Sequence, residues 1–424
     1  MVTFIKKLFK FTDCFDPLLN NISGWFRQNW LDILIIAVFA SATAIATYHG
    51  AQQINPLIFG EGGGNVWFDA DIPRVFENMT NRDSDHHSAK VHPLFSLIAF
   101  PPVFLITKIF SIEPMMAVRV VNAVVASLWI ATFFTLLRLI GCRRFDALLF
   151  SGLATASASA IFWFVVPETF LLGSLSIMLA LCFVVLTEFR QFSSLWYICI
   201  SAFTLCFTVT NWMAGVLITI VNFSKKQALL ITIKAYFLVF MLSIIQKIFF
   251  NRTVLPFFTG EEQNNYILTS SSGGPLHNLI SFVSHTMVMP VINVVANKLS
   301  IQLSFPGSGS PWGMISVLLW IALLGLGVYA ILSHQGHLKL RIVLGLTLIG
   351  QLLLHSVYGD EIFLYSLHFM PLLIILAAFS TFTRARKVAL LLTVVLTLTA
   401  GVNNVVQLNK AIVIVGDFAN NQAP

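Results

Sequence analysis

The chain has 424 residues, of which 57% are hydrophobic and only 10% are charged, with a formal net charge of +7. Soluble domains average about 25% charged residues, and no soluble fold of this length can bury so much apolar surface. Lipid must therefore be the solvent for most of the chain. We predict an all-α polytopic membrane protein, with membrane lipids around it and no nucleic-acid partner.

The first thirty residues alternate Phe and Leu with Lys. This basic stretch before the first apolar run is longer than the basic region of a cleaved signal peptide. We therefore predict that residues 1–30 form an amphipathic segment on the inner membrane surface and that the following helix is an uncleaved anchor.

A membrane-spanning helix needs about twenty apolar residues, and about eleven segments qualify. The run 195–224 is too long for one span, and Asn211 and Trp212 interrupt it, so it is counted as a short hairpin of two helices. The predicted spans are 31–49, 115–140, 145–165, 168–188, 195–209, 211–224, 228–250, 312–333, 341–357, 361–381 and 388–406.

Positive charge orients these helices, because connections rich in Lys and Arg stay on the cytoplasmic side. With the N-terminus inside, five basic connections fall on the inner side, and most of the acidic residues fall outside. The C-terminus then lies on the outer side, opposite the N-terminus. We place the chain in the inner (cytoplasmic) membrane of a bacterium, where the outer side is the periplasm. The five connections are 138–144, Arg190, 225–226, 339–341 and 384–387.

Residues 92–112 are apolar enough to span, but a crossing there would turn every later basic connection outward. The adjacent Pro101 and Pro102 remove two donors, so we predict a broken, interfacial or re-entrant segment. Two long outer loops result, 50–114 and 251–311. The first belongs to a transmembrane module of residues 31–250, and the second precedes the C-terminal helices and tail of residues 312–424. The middle of the second loop is predicted to lie on the membrane as helices.

The first outer loop contains an aspartate before Pro73, a pattern typical of a helix start with an acidic cap. Asp71 and Arg74 are three residues apart and share one face of that helix. A carboxylate can accept a proton from an attacking hydroxyl, and a guanidinium can bind a phosphate leaving group. From spacing alone, a capped surface helix with a local ion pair explains the pattern as well.

A polar cluster follows, with Lys90 and His92 at its end. His86, His87 and His92 fit no common zinc spacing, so a solvated loop is favoured over a metal site. His92-Pro93 opens the interfacial segment, where a cation would lie at the depth of lipid phosphates.

Arg119 lies near the outer end of the second span, either as a functional cation or as a residue whose long side chain reaches the headgroups. Glu168 lies in the next outer turn, where it either orients a sugar hydroxyl or favours a helix start. In the last outer turn, Glu361, Tyr365 and His368 repeat at helical spacing. An interfacial aromatic belt explains the tyrosine, but a polar stripe of this kind usually lines a cavity.

In their order and sidedness, these motifs resemble the membrane glycosyltransferases of the GT-C fold that use polyprenyl-phosphate sugars. The lipid A aminoarabinose transferases and the protein O-mannosyltransferases are the most similar. Asp71 and Arg74 match the acidic-x-x-Arg motif of a juxtamembrane helix in the first outer loop, and Met79 matches a methionine further along it. The sequence departs from the family where Ile72 replaces a second acid and Asp69 precedes the motif.

The resemblance covers residues 31–250 well and 355–375 weakly. Its further matches are His92-Pro93, Arg119, Glu168 and the stretch 365–371.

The resemblance implies a hexosyl- or pentosyltransferase that moves a monosaccharide from a polyprenyl-phosphate carrier to a hydroxyl at the outer leaflet. The acceptor would be a lipid-linked glycan, a lipopolysaccharide or another envelope glycan. Asp71 would be the general base, with Asp69 supporting or replacing it. The implied phosphate-binding residues are Arg74, His92, Lys90 and Arg119, and the implied sugar and acceptor pocket is Glu168, Glu361, Tyr365 and His368.

These cations can neutralise the phosphate without a metal, so no cofactor is required, although a divalent metal would be compatible with the motif. A flippase for a lipid-linked sugar and an envelope polysaccharide polymerase are the rival functions. Transporters usually contain inverted repeats, which this sequence does not show.

Overall fold

The computed structural model describes residues 15–60, 65–250, 252–255 and 273–422, with side chains from residue 29 to residue 418. Part of the predicted inner-surface segment, residues 1–14, lies outside this description. From residue 15 onward the chain is helical without a break into the first span. The described residues are almost entirely helical, with a single two-stranded hairpin, which confirms the predicted all-α membrane class.

The helices are α1 (Phe15–Gln53), α2 (Ile72–Thr80), α3 (Phe95–Phe110), α4 (Pro114–Leu139), α5 (Arg144–Ala156), α6 (Ala158–Trp163), α7 (Thr169–Phe189), α8 (Ser194–Phe207), α9 (Trp212–Asn222), α10 (Lys225–Phe249), α11 (Pro275–Ile280), α12 (Pro311–Ser333), α13 (Leu338–Val357), α14 (Ser366–Ala378) and α15 (Arg386–Gln422). The strands are β1 (Asn293–Val295) and β2 (Lys298–Ser300).

Eight helical segments in the described chain are long and apolar enough to cross a membrane. They are Asn29–Gln53, Pro114–Leu139, Thr169–Phe189, Lys225–Phe249, Pro311–Ser333, Leu338–Val357, Ile362–Phe382 and Arg386–Phe418. The other three predicted spans are shorter helices. The span predicted at 145–165 is divided at Ser157 into α5 and α6, and the hairpin predicted at 195–224 is α8 and α9 with a break between them.

Ion pairs gather the basic connections at one end of the bundle. Asp32 of α1 lies 3.2 Å from Arg138 at the end of α4 and 2.5 Å from Arg144 at the start of α5. Arg386 at the start of α15 lies 2.5 Å from Asp146. We call this the basic end. The opposite end, which holds Asp69, Asp71, Glu168 and Glu361, is called the acidic end.

The helix α3 contradicts one prediction, because Pro101 and Pro102 do not break it. A proline inside a helix removes a hydrogen bond and usually kinks or ends the helix. Here the face that carries Ala99 and Val103 is buried in a small apolar cluster with residues of α2 and α4. This packing sustains α3 across the missing hydrogen bonds, while Pro101 lies on the exposed face.

Both ends of α3 nevertheless lie at the acidic end. The backbone N–H of Leu94 donates to the carbonyl of Cys206 at the end of α8, at 2.9 Å. The other end turns at Ser111 directly into Pro114, the start of α4, whose last turn reaches the basic end. The segment 92–112 therefore begins and ends at the acidic end of the bundle.

The described part of the second outer loop does not lie on the surface as predicted. It enters the bundle as α11 and a single π-helical turn, Ser281–His285. Phe282 stacks on Phe369 of α14 with ring centroids 3.9 Å apart, and Met287 and Met289 are fully buried. Apolar side chains explain the burial, because this segment contributes directly to the main hydrophobic core.

The buried irregular backbone of this segment needs hydrogen-bond partners inside the protein, because neither water nor lipid supplies them there. Asn404 of α15 supplies them. Its side-chain amide donates to the carbonyls of Ala156 and Met287 at 2.8 and 2.9 Å, and its oxygen accepts from the N–H of Met289 at 2.8 Å. One side chain thus joins the break between α5 and α6 to the buried part of the second loop.

Replacing Asn404 with Leu, a side chain of similar size, should leave the N–H of Met289 and the carbonyl of Ala156 without this partner, while the carbonyl of Met287 keeps its bond from the N–H of Ala158. We expect the variant to lose about 2 kcal/mol or more of unfolding free energy, since each unpaired buried group is costly. Thermal unfolding of the purified protein in detergent measures the change. Val405→Ala, a substitution at a 48% exposed neighbour on the same helix, is the control and should have little effect.

Candidate active site

The turn before α2 has an unusual backbone. Phe68 and Asp69 have φ values of 49° and 61°, a left-handed conformation that residues other than glycine rarely adopt. Phe68 is fully buried, with ring centroids 5.7 Å from Phe162 and 5.2 Å from Phe363. This aromatic packing holds the turn in place and fixes the direction of Asp69. Such strain is common at functional sites.

Asp69 forms an ion pair with Lys298, which lies on β2. The strands β1 and β2 are joined by Ala296 and Asn297, both with positive φ, as a two-residue type I′ hairpin requires. The N–H of Leu299 donates to the carbonyl of Val66 at 2.8 Å, so the hairpin lies against the first loop. Sequence reasoning missed Lys298, because 229 residues separate it from its partner and no local pattern indicates the contact.

The predicted pairing of Asp71 with Arg74 is confirmed as a contact of 3.2 Å, with both side chains 43% exposed. Pro73 lies in the first turn of α2 and Asp71 at its N-cap position, also as predicted. The side chain of Asp71 makes no capping hydrogen bond, however. It turns toward the guanidinium, so the predicted cap is wrong while the predicted ion pair is right.

His92 connects the first loop to the turn between α8 and α9. Its Nδ1 lies 2.6 Å from the carbonyl oxygen of Phe207, to which it donates, and its Nε2 lies 3.4 Å from the hydroxyl of Thr169. Burial lowers the pKa of His92, although the Phe207 carbonyl and the charge of Asp71 act in the opposite direction. The imidazole is therefore neutral near pH 7, which corrects the expectation of a cation at this position.

The other two predicted phosphate ligands are Arg119 and Lys90. Arg119 lies 5.7 Å from the ring centroid of Phe59 and reaches the carbonyl of Ile54 at 3.5 Å, which ties it to the segment after α1. Phe59 in turn packs on Phe76 of α2. Lys90 is half-buried at the end of a short 3₁₀ turn, two residues before His92.

His86 has a structural role. Its Nδ1 lies 2.7 Å from the hydroxyl of Ser96 and its Nε2 lies 3.2 Å from the carbonyl of Arg82. Within the described ranges, no group of three or more His, Cys, Asp or Glu side chains is placed to hold a metal ion.

Glu168 is the N-cap of α7, where its carboxylate accepts from the N–H of Thr169. It is only 7% exposed. Burial raises the pKa of Glu168 to about 8, and the nearby charge of Asp71 adds to the effect. Glu168 therefore begins α7 as its N-cap, and its carboxyl group is mostly protonated at neutral pH, so it can donate a hydrogen bond.

Glu361 is held by the hairpin. Its Oε2 accepts from the hydroxyl of Ser300 at 2.7 Å and from the N–H of Ile301 at 3.2 Å. Its buried Oε1 has no hydrogen-bond partner among the described residues. Burial raises the pKa of Glu361 to about 7, and the charge of Asp69 contributes. Glu361 therefore lies close to the turn that presents Asp69.

The prediction of one helical face for Glu361, Tyr365 and His368 is wrong, because a 3₁₀ turn precedes α14. Glu361 faces the hairpin, whereas Tyr365 and His368 face Phe170 of α7, with ring centroids 5.3 and 5.1 Å apart. Phe170 also lies 6.1 Å from His92. Tyr365 and His368 thus lie with His92 around one aromatic ring, whereas Glu361 lies against the hairpin.

Two missed residues complete this cluster. His355 of α13 stacks on Tyr365 at 4.5 Å, and Asn211 follows the end of α8. Gly173 of α7 leaves room for His368 and Asn211, since a Cβ there would lie 2.7 Å from Nε2 of His368 and 2.9 Å from Nδ2 of Asn211. The interruption at Asn211 was visible in the sequence, but its place beside His368 was not.

The arrangement has two parts. Partly exposed charges lie at the mouth, namely Asp69, Asp71, Arg74 and Lys298. Buried or half-buried, mostly uncharged polar groups lie beside them, namely Glu168, Glu361, His92, Tyr365, His368, His355 and Asn211. Such a site can bind an anion at the mouth, accept a proton there and hold an uncharged polar group inside.

Comparison with known proteins identifies no relative: no family model matches the chain, and neither the curated proteins nor the solved structures contain a match.

The raised pKa values of Glu168 and Glu361 predict that stability falls with increasing pH. The unfolded carboxyls ionise near pH 4.5, whereas the folded ones keep their protons up to about pH 8 and 7. The folded state binds more protons in this interval, so the stabilisation present below pH 4.5 is lost as the pH rises through the folded values. Thermal unfolding from pH 5 to 8 measures the loss.

The double substitution Glu168→Gln and Glu361→Gln should flatten this dependence, because the amides do not titrate. Glu113→Gln, at an exposed position at the same end of the bundle, is the control and should keep the wild-type slope. An unchanged slope in the double variant would contradict the assignment.

Proposed function

We propose that this chain is a membrane glycosyltransferase of the GT-C type. It transfers a monosaccharide from a polyprenyl-phosphate carrier to a hydroxyl acceptor at the acidic end, which faces the periplasm. The observation that carries the proposal is the Asp71–Arg74 pair at the mouth of a buried, uncharged polar cluster. The resemblance in motif order supports it.

The three parts of such a donor have different requirements, and the acidic end offers all three. The prenyl chain needs apolar surface within the membrane, and α3 exposes Phe104, Leu105 and Ile109 beside the mouth. The phosphate needs a cation, and Arg74 is partly exposed and able to form paired hydrogen bonds. The sugar needs polar groups that do not demand a counter-charge, and the buried cluster offers them.

The chemistry then follows from the carboxylates at the mouth. Asp71 takes the proton of the acceptor hydroxyl as its oxygen bonds to the anomeric carbon. The bond from that carbon to the phosphate oxygen breaks, and the phosphate leaves with the electron pair. Arg74 stabilises the leaving phosphate, with His92, Lys90 and Arg119 as further ligands by resemblance. Asp69 is the alternative base, held by Lys298. The reaction requires no metal.

Asp71→Asn should lower transfer by roughly a hundredfold or more, because positioned general bases contribute about 10²–10⁴ to rates. Arg74→Gln should cost a similar factor through the leaving phosphate. The assay uses the purified protein in nanodiscs with polyprenyl-phosphate hexoses and pentoses and a membrane-lipid acceptor fraction. Glu77→Gln, at the other end of α2, is the matched control.

Loss of transfer in Asp69→Asn with near-normal transfer in Asp71→Asn would move the base to Asp69. Near-normal transfer in both variants, with normal membrane insertion, would contradict the mechanism. If many sugars are added in one reaction cycle, the function is that of a polymerase.

A flippase must expose its site to both sides of the membrane in turn, whereas this transferase opens at the acidic end alone. In a variant without the native cysteines, Cys placed at Glu168 should react with an impermeant reagent from the periplasm. Cys placed at Arg143, at the basic end, should react only from the cytoplasm. Labelling of position 168 from the cytoplasm would favour transport instead.

A further inference from the structure

One face of α13 carries three buried polar residues at successive turns, Thr347, Gln351 and His355. Each is at most 2% exposed. The Thr347 hydroxyl and both amide atoms of Gln351 have no hydrogen-bond partner among the residues that the structure describes. Unpaired buried polar atoms are costly, and native proteins contain few of them. Three such atoms on one helix face, beside the buried imidazole of His355, indicate a ligand.

The hydroxyl of Thr347 differs from other threonines in these helices. Thr393 and Thr219 donate to carbonyls of their own helices, at 2.7 and 2.8 Å. Thr347 makes no such bond in the described chain, although the carbonyl four residues earlier is within reach of a helical threonine. Its hydroxyl is therefore available to a ligand.

The stripe continues into the cluster at the acidic end. His355 stacks on Tyr365, and both amide atoms of Asn211 and Nε2 of His368 also have no partner within the described ranges. Asn211 and His368 converge on the position of Gly173, within 3 Å of where its Cβ would lie. Three elements, α13, α14 and the turn between α8 and α9, thus contribute unpaired polar atoms beside α7.

The chemistry of these side chains defines the ligand. They are one hydroxyl, two amides and two imidazoles, which donate and accept hydrogen bonds but carry no carboxylate and no permanent cation. A charged group in this position would be desolvated at high cost, and burial holds the neighbouring carboxyl groups of Glu168 and Glu361 toward their neutral form, so they offer it no ready counter-charge. An uncharged group with many hydroxyls satisfies both donors and acceptors. The stripe is about 12 Å long, since eight residues at 1.5 Å separate Thr347 from His355.

We propose that Thr347, Gln351, His355, Asn211 and His368 form a membrane-embedded site for an uncharged, hydroxyl-rich group. The inference rests on the proposed function, within which that group is the sugar of the lipid-linked donor. The donor sugar is then a neutral hexose or pentose, rather than an amino sugar with an ammonium group or a uronic acid with a carboxylate. Phe170 and Tyr365 supply the apolar walls that such pockets usually have.

The test measures binding of four short-chain probes to the full-length protein in nanodiscs: prenyl phosphate alone, and prenyl phosphate carrying glucose, glucuronate or an aminopentose. Wild type should bind the glucose probe most tightly. Gln351→Leu should weaken glucose-probe binding roughly tenfold, the cost of about one hydrogen bond in an apolar site. Its affinity for prenyl phosphate alone should stay within about twofold of wild type. Arg74→Gln should weaken both probes.

A second measurement separates binding from a structural role. If the Gln351 amide serves only a ligand, Gln351→Leu should raise the thermal unfolding temperature of the ligand-free protein, because it removes two unpaired buried atoms. Ile349→Ala, at a 54% exposed position on the same helix, is the control for probe binding. It should leave the affinities for the glucose probe and for prenyl phosphate alone unchanged.

The outcomes distinguish the two proposals. Failure of wild type to bind prenyl phosphate would overturn the proposed function and this inference with it. Phosphate binding with a glucose affinity insensitive to Gln351→Leu would overturn the sugar site alone. A lower unfolding temperature of that variant would assign the amide a structural role and overturn it as well. Equal binding of the charged-sugar probes would refute the selectivity for an uncharged group.

Discussion

The structure depends on how irregular backbone is satisfied inside a membrane. Lipid offers no hydrogen bonds, so each break in a helix needs an internal partner. Asn404 bonds the carbonyls of Ala156 and Met287 and the N–H of Met289. This arrangement lets the second outer loop enter the bundle and return as a hairpin. The hairpin then brings Lys298 to Asp69 and Ser300 to Glu361. A side chain on the last helix therefore positions two carboxylates of the candidate site.

Burial divides the four carboxyl groups of the acidic end into two kinds. Asp71 is partly exposed beside Arg74, and Asp69 is paired with Lys298, so each carboxylate has a cation for its charge. Glu168 and Glu361 are buried with no such cation in the described contacts, and burial raises their pKa values to about 8 and 7. The first pair suits proton acceptance and the second suits hydrogen-bond donation. Both roles come from one residue class in different surroundings.

Features determined by neighbours along the chain were largely predictable from the sequence. Hydropathy located the eight helical segments that are long and apolar enough to span, basic residues grouped their connections, and three-residue spacing identified the Asp71–Arg74 contact. The proline rule failed at α3, because packing against α2 and α4 sustains the helix where local chemistry opposes it. Tertiary contacts decide such cases, and a single sequence does not reveal them.

The unpredicted part of the site consists of residues whose importance comes from distant partners. Lys298, Asn211 and Gln351 lie in segments with no motif, and each acquires meaning only when helices far apart in the chain converge. Gln351 and Asn211 were visible as polar residues in apolar runs, which is a signal in principle. That signal gives no direction around the helix axis, so it did not show which side chains each of them would face.

The side chains of the candidate site are charged where they are exposed and mostly uncharged where they are buried. This gradient provides a physical reason for the position of the site at the acidic end. A lipid-linked sugar phosphate has one charged group between two uncharged parts. In the proposed function, the cations at the mouth hold the phosphate at the membrane surface, where water and lipid headgroups still screen it. Amides, hydroxyls and imidazoles below the mouth can then bind the sugar without desolvating any charge. The unpaired polar atoms along α13 destabilise the ligand-free protein, and in the proposed function this cost is recovered when the sugar binds.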